Sequence, residues 1–416
     1  MPDLRTAIVS LAFFTLLMTG HADDIPAPVL SLARITHRMA DELKRLPNYT
    51  CLQTTDRYTA APGRRPQPFD RIRVQVAIVD GKELYSWPGA ATFDDRSLAR
   101  MVNNGFVSDG DFAAMAKNVF VNRTATITYA GEETKAGRVL LRYNFEISQM
   151  RSGWQIRVLN ASGVVGARGF FLADAGTLDV LRFTFAAQDL PPFSPHKRLT
   201  DDVVYGRVRL GGTDVLLPLT VDLEAELFTG ETHWNHTTFS SCREYGVGSS
   251  ISFGDGTDAP AVAVPVPEAE VTALPSGLEI PLKLAELIDS ARAAVGDEIR
   301  AVVAKNVRLG GELILPRGAV VRGVIRRFDR HVGNRPYCAV GIEFTEAEFS
   351  GRRAILFGKM EGISKFSGLH RNVIGFDTAA ERPPGPGVGY FYVEGEHFVI
   401  PKDLPLTWLT QTFRTR

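Results

Sequence analysis

The sequence predicts a mainly β protein of the α+β class. It is expected to have a large curved antiparallel sheet with one long helix, and a small C-terminal β-barrel. Short segments rich in Val, Thr and Phe recur between residues 125 and 253, and turn residues separate them every ~8–15 residues. One segment, residues 28–46, has apolar residues at helical spacing over several turns. The 38 Gly and 24 Pro residues suit tight turns between strands.

Residues 1–22 have the parts of a secretory signal peptide. Arg5 supplies a positive charge, residues 7–20 are mostly apolar, and Gly20-His21-Ala22 places small residues where a signal peptidase cleaves. The alternative is a membrane anchor, but the apolar run is shorter than the ~20 residues that span a bilayer. We therefore expect an exported protein, periplasmic or extracellular, that is not an integral membrane protein after signal cleavage.

A linker is predicted to divide the remaining chain. Residues 255–273 are small, Pro-rich and without periodicity. They separate an N-terminal domain, residues 23–254, from a C-terminal domain, residues 274–416. Lys plus Arg and Asp plus Glu both number 47, so the charge balance gives no reason to expect nucleic acid as a partner.

The N-terminal domain begins with the predicted helix. Leu32, Ile35, Met39 and Leu43 recur three or four residues apart, and Pro47 ends the pattern. The segments after it predict strands over 49–58, 70–79 and 83–87, short helices over 96–103 and from 108 onward, and the antiparallel series from 125 to 253.

The C-terminal domain is predicted to be nearly all strand. Residues 274–325 contain three strand patterns with Pro-x-Gly turns at their ends. We also expect a short helical turn near residues 284–293 and a closing hairpin over residues 389–400, around Glu394-Gly395.

The chain has three cysteines, Cys51, Cys242 and Cys338. No two of them are close in sequence, so their spacing is not that of a metal site. In an oxidising compartment we expect one disulfide, Cys51–Cys242, because both residues lie in strand-like runs near the two ends of one domain. Cys338 is then a buried thiol in the other domain. The alternative is three free thiols.

No motif in the sequence indicates catalysis. It contains no nucleophile elbow, no P-loop, no zinc-protease helix and no dinucleotide-binding glycine motif. His233 and His236 are three residues apart and would point to opposite faces of a strand, so we predict no metal site there. We expect no catalytic residue and no cofactor, and a secreted hydrolase is the less favoured alternative.

Two surfaces are candidates for binding. Five residues, Arg317, Arg322, Arg326, Arg327 and Arg330, form a local basic cluster. The first four are the candidate surface, which is either a solvated strand face or a contact surface for an acidic partner. If the long helix lies in the hollow of a curved sheet, an apolar groove for a lipid or acyl chain would result. The alternative is that the helix and loops fill the hollow as ordinary core.

Two motifs of the N-terminal domain resemble exported bacterial proteins of unassigned function. They are Tyr49-Thr50-Cys51-Leu52-Gln53 and Cys242-Arg243-Glu244-Tyr245. A helix followed by a long antiparallel series is also similar in pattern to the LolA-like half-barrel of outer membrane lipoprotein carriers. That resemblance implies a binding protein for apolar ligands.

The C-terminal domain resembles the β-barrel of TrbI-like scaffold proteins of conjugation and type IV secretion machines. The segments that carry the resemblance are 274–281, Asp289-Ser290, 299–302 and 314–323. It implies a barrel that assembles in the cell envelope. The chain differs from that family because it has a cleavable-looking signal in place of an inner-membrane helix.

These observations together predict an exported bacterial envelope protein with a non-enzymatic binding or scaffolding role. The expected ligand is apolar or lipid-like and lies in the N-terminal groove. The alternative is an assembly module that docks to an envelope protein partner through its C-terminal barrel.

Overall fold

The computed structural model describes residues 26–412, apart from 91–92, 94–96, 103–104, 109–113, 159, 246–271, 333–334 and 371–384. The predicted signal peptide lies outside the described residues, and so does the linker except for residues 272–273. No helix in the described part of the chain is long and apolar enough to cross a membrane.

Helix α1 spans Ala27–Arg45, α2 spans Leu98–Met101, and α3 spans Ala114–Ala116 and continues as a π-helical turn over Lys117–Val121. The strands up to residue 245 are β1 Tyr49–Ala60, β2 Gln67–Val79, β3 Lys82–Ser86, β4 Thr126–Lys135, β5 Arg138–Ile147, β6 Gln155–Val158, β7 Ala161–Val164, β8 Gly166–Asp174, β9 Val180–Gln188, β10 His196–Leu210, β11 Thr213–Leu227 and β12 Thr232–Glu244.

The strands from residue 272 onward are shorter on average. They are β13 Thr272–Ala273, β14 Glu279–Leu284, β15 Ile288–Asp289, β16 Glu298–Val303, β17 Val307–Leu309, β18 Glu312–Leu315, β19 Val320–His331, β20 Tyr337–Phe349, β21 Arg352–Ile355, β22 Gly358–Ile363, β23 Leu369–His370, β24 Val388–Glu394, β25 Val399–Ile400 and β26 Pro405–Thr410.

The first sheet is antiparallel and follows the order β3-β2-β1-β12-β11-β10-β9-β8-β5-β4. The first and last long strands of this unit, β1 and β12, are therefore neighbours inside the sheet, third and fourth in its order. The Asp80-Gly81 turn predicted between β2 and β3 is present, and both residues have positive φ angles, 51° and 75°. The mainly β fold class and the large curved sheet are confirmed.

One face of this sheet is covered by α1, and we call it the inner face. Ile35 and Met39 on α1 are buried in the same apolar cluster as Val74 of β2 and Phe171 of β8. Polar contacts also hold the helix. The hydroxyl of Tyr143 donates to the carbonyl of Pro28 at 2.7 Å. Arg38 of the helix donates to Asp179, and Arg207 donates to Glu42 of the helix.

The second sheet follows the order β13-β21-β20-β19-β16-β14-β26-β22, and β24 also pairs with β20. The sheet rolls up so that β24 comes back against β22 and β26. At this closure a Cβ on Gly389 would lie 2.7 Å from Met360 and from the ring of Trp408. Only glycine allows so close an approach, and the barrel prediction is confirmed.

The two sheets meet at the edge of β2. Strand β3 pairs only with Gln75–Val79, so the edge over residues 71–73 is open. The segment that contains Val295 occupies this edge: Val295 donates its N–H to Arg71 and accepts one from Arg73, both at 2.7 Å. Such edge pairing satisfies backbone groups that would otherwise face solvent.

Of two local predictions for the C-terminal unit, one holds for part of its range and one is wrong. Within residues 284–293, β15 pairs with β25, and a single turn follows in which Arg292 and Ala293 donate their N–H groups to the carbonyl of Asp289. The predicted hairpin over 389–400 does not form, because β24 pairs with β20 and β23 while β25 pairs with β15.

Candidate functional site: a cavity on the inner face

A cavity of about 1010 Å³ lies where the inner face of the first sheet meets the end of β19. Strands β1, β2 and β12 and the turn between β1 and β2 form most of its wall. Its wall contains charged, polar and aromatic side chains that could contact a ligand. They are Arg57, Arg64, Arg65, Phe69, Phe106, Glu231, His233, Asn235 and Arg330.

A buried polar corner forms the floor of the cavity. Arg57 on β1 is opposite Asp70 on β2 and Asn235 on β12, so all three side chains share the inner face. Arg57 donates two hydrogen bonds of 2.6 Å to Asp70, and both side chains are at most 2 % exposed. Such a pairing offsets part of the cost of burying the two charges.

The loop at residues 105–106 covers this corner. Asn235 donates from Nδ2 to the carbonyl of Phe106 at 2.8 Å. A Cβ on Gly105 would lie 2.5 Å from Nη1 of Arg57, and Gly105 has a φ of +79°. The glycine therefore lets the loop approach the arginine, and this contact places the Phe106 ring at the cavity wall.

Two histidines lie beside Phe106. Burial lowers the pKa of His233, against the opposing effect of Glu231, and burial also lowers the pKa of His196. The ring of Phe106 is 5.1 Å from that of His196. Both shifts favour the neutral form of the imidazole.

Arginines dominate the charge of the cavity wall. Arg64 and Arg65 lie in the exposed turn between β1 and β2, and their side chains make no hydrogen bond or ion pair with any described residue. Arg330 comes from β19 on the opposite wall and donates to the carbonyl of Ser290. Glu231 is the one acidic residue of the wall in the described part of the chain, and His233 lies 3.4 Å from it.

The other end of the inner face is filled with aromatic side chains. The rings of Phe145 and Phe183 stack with centroids 5.0 Å apart, and Phe120 meets Phe171 edge-on at 5.1 Å. Phe120, Phe171 and Phe183 are each at most 1 % exposed. Helix α1 and the π-helical turn thus fill the predicted hollow at this end, whereas the β1–β2–β12 end is open.

A Ser–His pair occurs near the cavity. The Oγ of Ser194 lies 3.0 Å from Nδ1 of His196, and it also accepts the backbone N–H of His196 at 3.3 Å. These bonds are those of a local turn around two buried residues, and neither residue belongs to the cavity wall. A hydrolase would instead need its nucleophile exposed to substrate.

The structure separates His233 and His236. His233 is on the inner face with Asn235, while Nδ1 of His236 contacts Asp222 on the other face at 2.8 Å. Among the described residues, no three His, Cys, Asp or Glu side chains are grouped as ligands for a metal ion.

The four arginines of the predicted basic surface are not all on one surface. Arg317 and Arg322 are exposed, and Arg322 pairs with Glu298 and Glu348. Arg326 lies over the ring of Trp87 and bonds to Glu343. A bulge between Ile325 and Arg327 places Arg327 on the strand face opposite to Ile325 and Phe328, where it is buried against the ring of Tyr390 and pairs with Asp329.

The cysteines follow the predicted arrangement. A disulfide joins Cys51 of β1 to Cys242 of β12 across a sequence separation of 191 residues. Cys338 is a buried thiol on β20, and burial raises its pKa well above the usual value. The disulfide fastens the central strand pair that carries the inner-face corner.

The sequence predictions did not identify the residues of the cavity. Arg57 had a detectable signal, because it continues the inner-face alternation of Cys51, Gln53 and Thr55 with a charged side chain. Arg330 was part of the predicted basic cluster, but no local pattern could place it or Phe106 at this cavity, since they reach it from separate parts of the chain.

No protein family model and no curated protein matches the chain. Solved structures with similarity include a DUF1329 family protein from Desulfovibrio piger, with 13% identity over 54% of this chain and 96% of that chain and a TM-score of 0.30. A LolA superfamily protein from Nitrosomonas europaea has 13% identity over 52% of this chain and 94% of that chain, with a TM-score of 0.27. A protein domain from Vibrio parahaemolyticus, described as an outer membrane lipoprotein-sorting domain, has 9% identity over 50% of this chain and 90% of that chain. Its TM-score is 0.30.

These similarities are too low to carry a functional conclusion. They also do not bear on the resemblance of the C-terminal unit to the TrbI-like barrel, which stays a prediction.

Proposed function

We propose that this chain is an exported, non-enzymatic envelope protein that binds an apolar or amphiphilic ligand in the inner-face cavity. The cavity itself is the observation that carries the proposal. Its volume of about 1010 Å³ is at the upper end of the ~300–1,000 Å³ usual for ligand pockets. Export rests on the signal-like segment, and it agrees with a disulfide in the fold.

The composition of the wall favours an amphiphile. Tyr58, Phe69, Phe106 and Pro62 provide apolar surface, and polar and charged side chains make up the rest of the wall. The apolar residues can bury the apolar body of a ligand, and the polar residues can orient its head group. The apolar part of the ligand is placed against Phe69 and Phe106, because the aromatic end of the inner face is already filled.

A second candidate function is docking to an envelope protein through the C-terminal unit. The observation that favours it is the hairpin of β17 and β18, where Leu309 and Leu313 are 47 % and 44 % exposed. Exposed apolar residues of this kind are common at contact surfaces, although single ones also occur on ordinary surfaces.

Binding of an uncharged naphthylamine fluorophore tests the ligand-binding proposal. Its emission rises in an apolar site, so a saturable increase is expected with the purified protein. Ala61 lies in the cavity wall and is exposed, so Ala61→Trp adds bulk there without disturbing core. We expect this variant to weaken binding by about tenfold or more, since a blocked apolar contact costs over ~1.4 kcal/mol.

Ala130→Trp is the matched control, because Ala130 is an exposed residue of β4 at the far edge of the sheet. It should bind the fluorophore like the parent protein. Absence of a saturable signal in the parent protein, or equal binding by the Ala61→Trp variant, would overturn the proposal. A truncation that removes residues 274–416 is not used, since β2 depends on that unit for its edge pairing.

A further inference from the structure

We propose that the arginines at the rim of the inner-face cavity recognise a phosphate-type anion, the head group of an amphiphile. This inference rests on the proposed function, because the same cavity would hold the apolar part of the ligand. It adds the chemical class of the head group and the residues that select it, Arg64, Arg65 and Arg330.

The first support is the local charge. The whole chain has a formal net charge of zero. Among the residues that the structure describes, the cavity wall nevertheless contains four arginines and one carboxylate, that of Glu231. Arg57 is neutralised by Asp70, which leaves Arg64, Arg65 and Arg330 as cations at the cavity. Like charges placed together in a concave site attract anions and increase their local concentration.

The second support is that Arg64 and Arg65 lie on a fixed turn without counter-ions among the described residues. The turn that carries them is fixed by the N–H of Arg64, which donates to the carbonyl of Ala61 at 2.9 Å, and by Gly63 with a φ of +70°. Their guanidinium groups have no counter-ion among the described residues. Two adjacent guanidinium groups offer several N–H donors to the oxygens of a phosphate.

The third support is the preorganisation of Arg330. Its Nη2 donates to the carbonyl of Ser290, and its guanidinium group lies 5.9 Å from the ring centroid of Phe328. A side chain already held in place loses little conformational entropy when a ligand binds. Arg330 therefore provides a fixed cation on the wall opposite the β1–β2 turn.

The apolar and cationic parts of the wall are adjacent in sequence as well as in space. Phe69 follows Arg65 by four residues, and Val332 follows Arg330 by two; all four line the cavity. An amphiphile can thus place its anion at the rim and its chain against Phe69. The competing interpretation is that Arg64 and Arg65 are ordinary solvated surface charges, which would make binding independent of the head group.

Competition with the bound fluorophore separates these interpretations. Three competitors are used: short-chain phosphatidylglycerol, a diacylglycerol with the same chains, and inorganic phosphate. We expect phosphatidylglycerol to bind about tenfold or more tightly than diacylglycerol, since two or more charge-assisted bonds are gained. The difference should shrink as salt is raised from about 0.05 M to about 0.5 M.

The double variant Arg64→Gln/Arg65→Gln should lose this preference and retain diacylglycerol binding. Its matched control is Arg317→Gln/Arg352→Gln, which removes two exposed arginines of the C-terminal unit whose side chains have no partner among the described residues. The control should keep the preference. Both variants alter exposed residues, so folding is checked by thermal unfolding.

The outcomes distinguish this inference from the function on which it rests. Equal binding of the two lipids, or an unchanged preference in the Arg64→Gln/Arg65→Gln variant, overturns the head-group inference and leaves apolar binding in place. Competition by inorganic phosphate without binding of either lipid assigns a free-anion site and overturns the amphiphile. If neither lipid nor fluorophore binds, the proposed function fails as well.

Discussion

Arg57 and Asp70 form a buried two-point ion pair at the floor of the inner-face cavity, with both N–O distances at 2.6 Å. They are opposite residues of β1 and β2, and Asn235 of β12 completes the row. A charged pair in this position is costly to bury and is stable only while both partners are present. The pair therefore links the stability of the sheet to the shape of the cavity.

Removal of one partner should be severe. Asp70→Asn leaves the Arg57 guanidinium buried without its counter-charge, and we expect a loss of about 3–5 kcal/mol in the free energy of unfolding. Urea unfolding measures it. The control is Arg322→Gln, which breaks exposed ion pairs with Glu298 and Glu348 and should cost below about 1 kcal/mol. Equal effects of the two substitutions would show that the buried pair has no special role.

The disulfide should contribute through the unfolded state. It closes a long loop and joins β1 to β12, and the double variant Cys51→Ser/Cys242→Ser is expected to lose about 2–5 kcal/mol. Reduction of the parent protein should give a similar loss, while Cys338→Ser alone should act only through packing on β20. Thermal unfolding with and without reductant provides the comparison; an unchanged midpoint after reduction would contradict it.

Acid should loosen α1. Burial raises the pKa of Asp179, but hydrogen bonds from Arg207 and Arg38 outweigh it, so the folded pKa lies below the ordinary 3.8. The ionised form therefore stabilises the fold fully above the ordinary pKa, and this contribution is lost as the pH falls through the folded pKa. Arg38 is on α1, so the helix loses one of its anchors.

Urea unfolding midpoints across the acidic range test this dependence. Asp179→Asn should lower the midpoint at neutral pH and flatten the acid dependence. Asp214→Asn serves as the control, because its ion pair with Arg209 is long, 3.7 Å, and exposed. A parent-like pH profile for the Asp179→Asn variant would contradict the role given to this carboxylate.

Barrel closure should depend on Gly389. Gly389→Ala would place a methyl group 2.7 Å from Met360 and Trp408, and the overpacking is expected to cost about 1–3 kcal/mol. Gly385→Ala is a close control, since a Cβ there meets nothing within 4 Å. Chemical unfolding of both variants decides the point: similar stabilities would mean that β24 does not seal against β22 and β26.

Local patterns predicted those parts of the fold that depend on short-range chemistry. The apolar spacing of α1, the alternation of β2 and the Asp80-Gly81 turn all act within a few residues, and each is present. The Cys51–Cys242 pair was also predictable, because both cysteines lie in strand-like runs near the two ends of one domain along the chain.

The features that sequence patterns missed depend on contacts between distant segments. Strand β25 has two residues and pairs with β15, which no alternation could indicate. The bulge beside Arg327 reverses the face of β19 on which this side chain lies. Strict alternation of side chains from Ile325 onward therefore predicts the wrong face for Arg327. The cavity likewise needs the β1–β2 turn, Phe106 and the end of β19 to meet, and only the tertiary structure brings them together.

Native mass spectrometry of the protein purified from its own cell envelope tests the central claim most directly. The account predicts a mass increment from a bound amphiphile with an anionic head group on the parent protein. The same increment should be present on the Ala130→Trp variant and absent from the Ala61→Trp variant. A parent protein that carries no such increment, and that takes up none from vesicles containing anionic lipid, would contradict the assignment of the inner-face cavity as a ligand site.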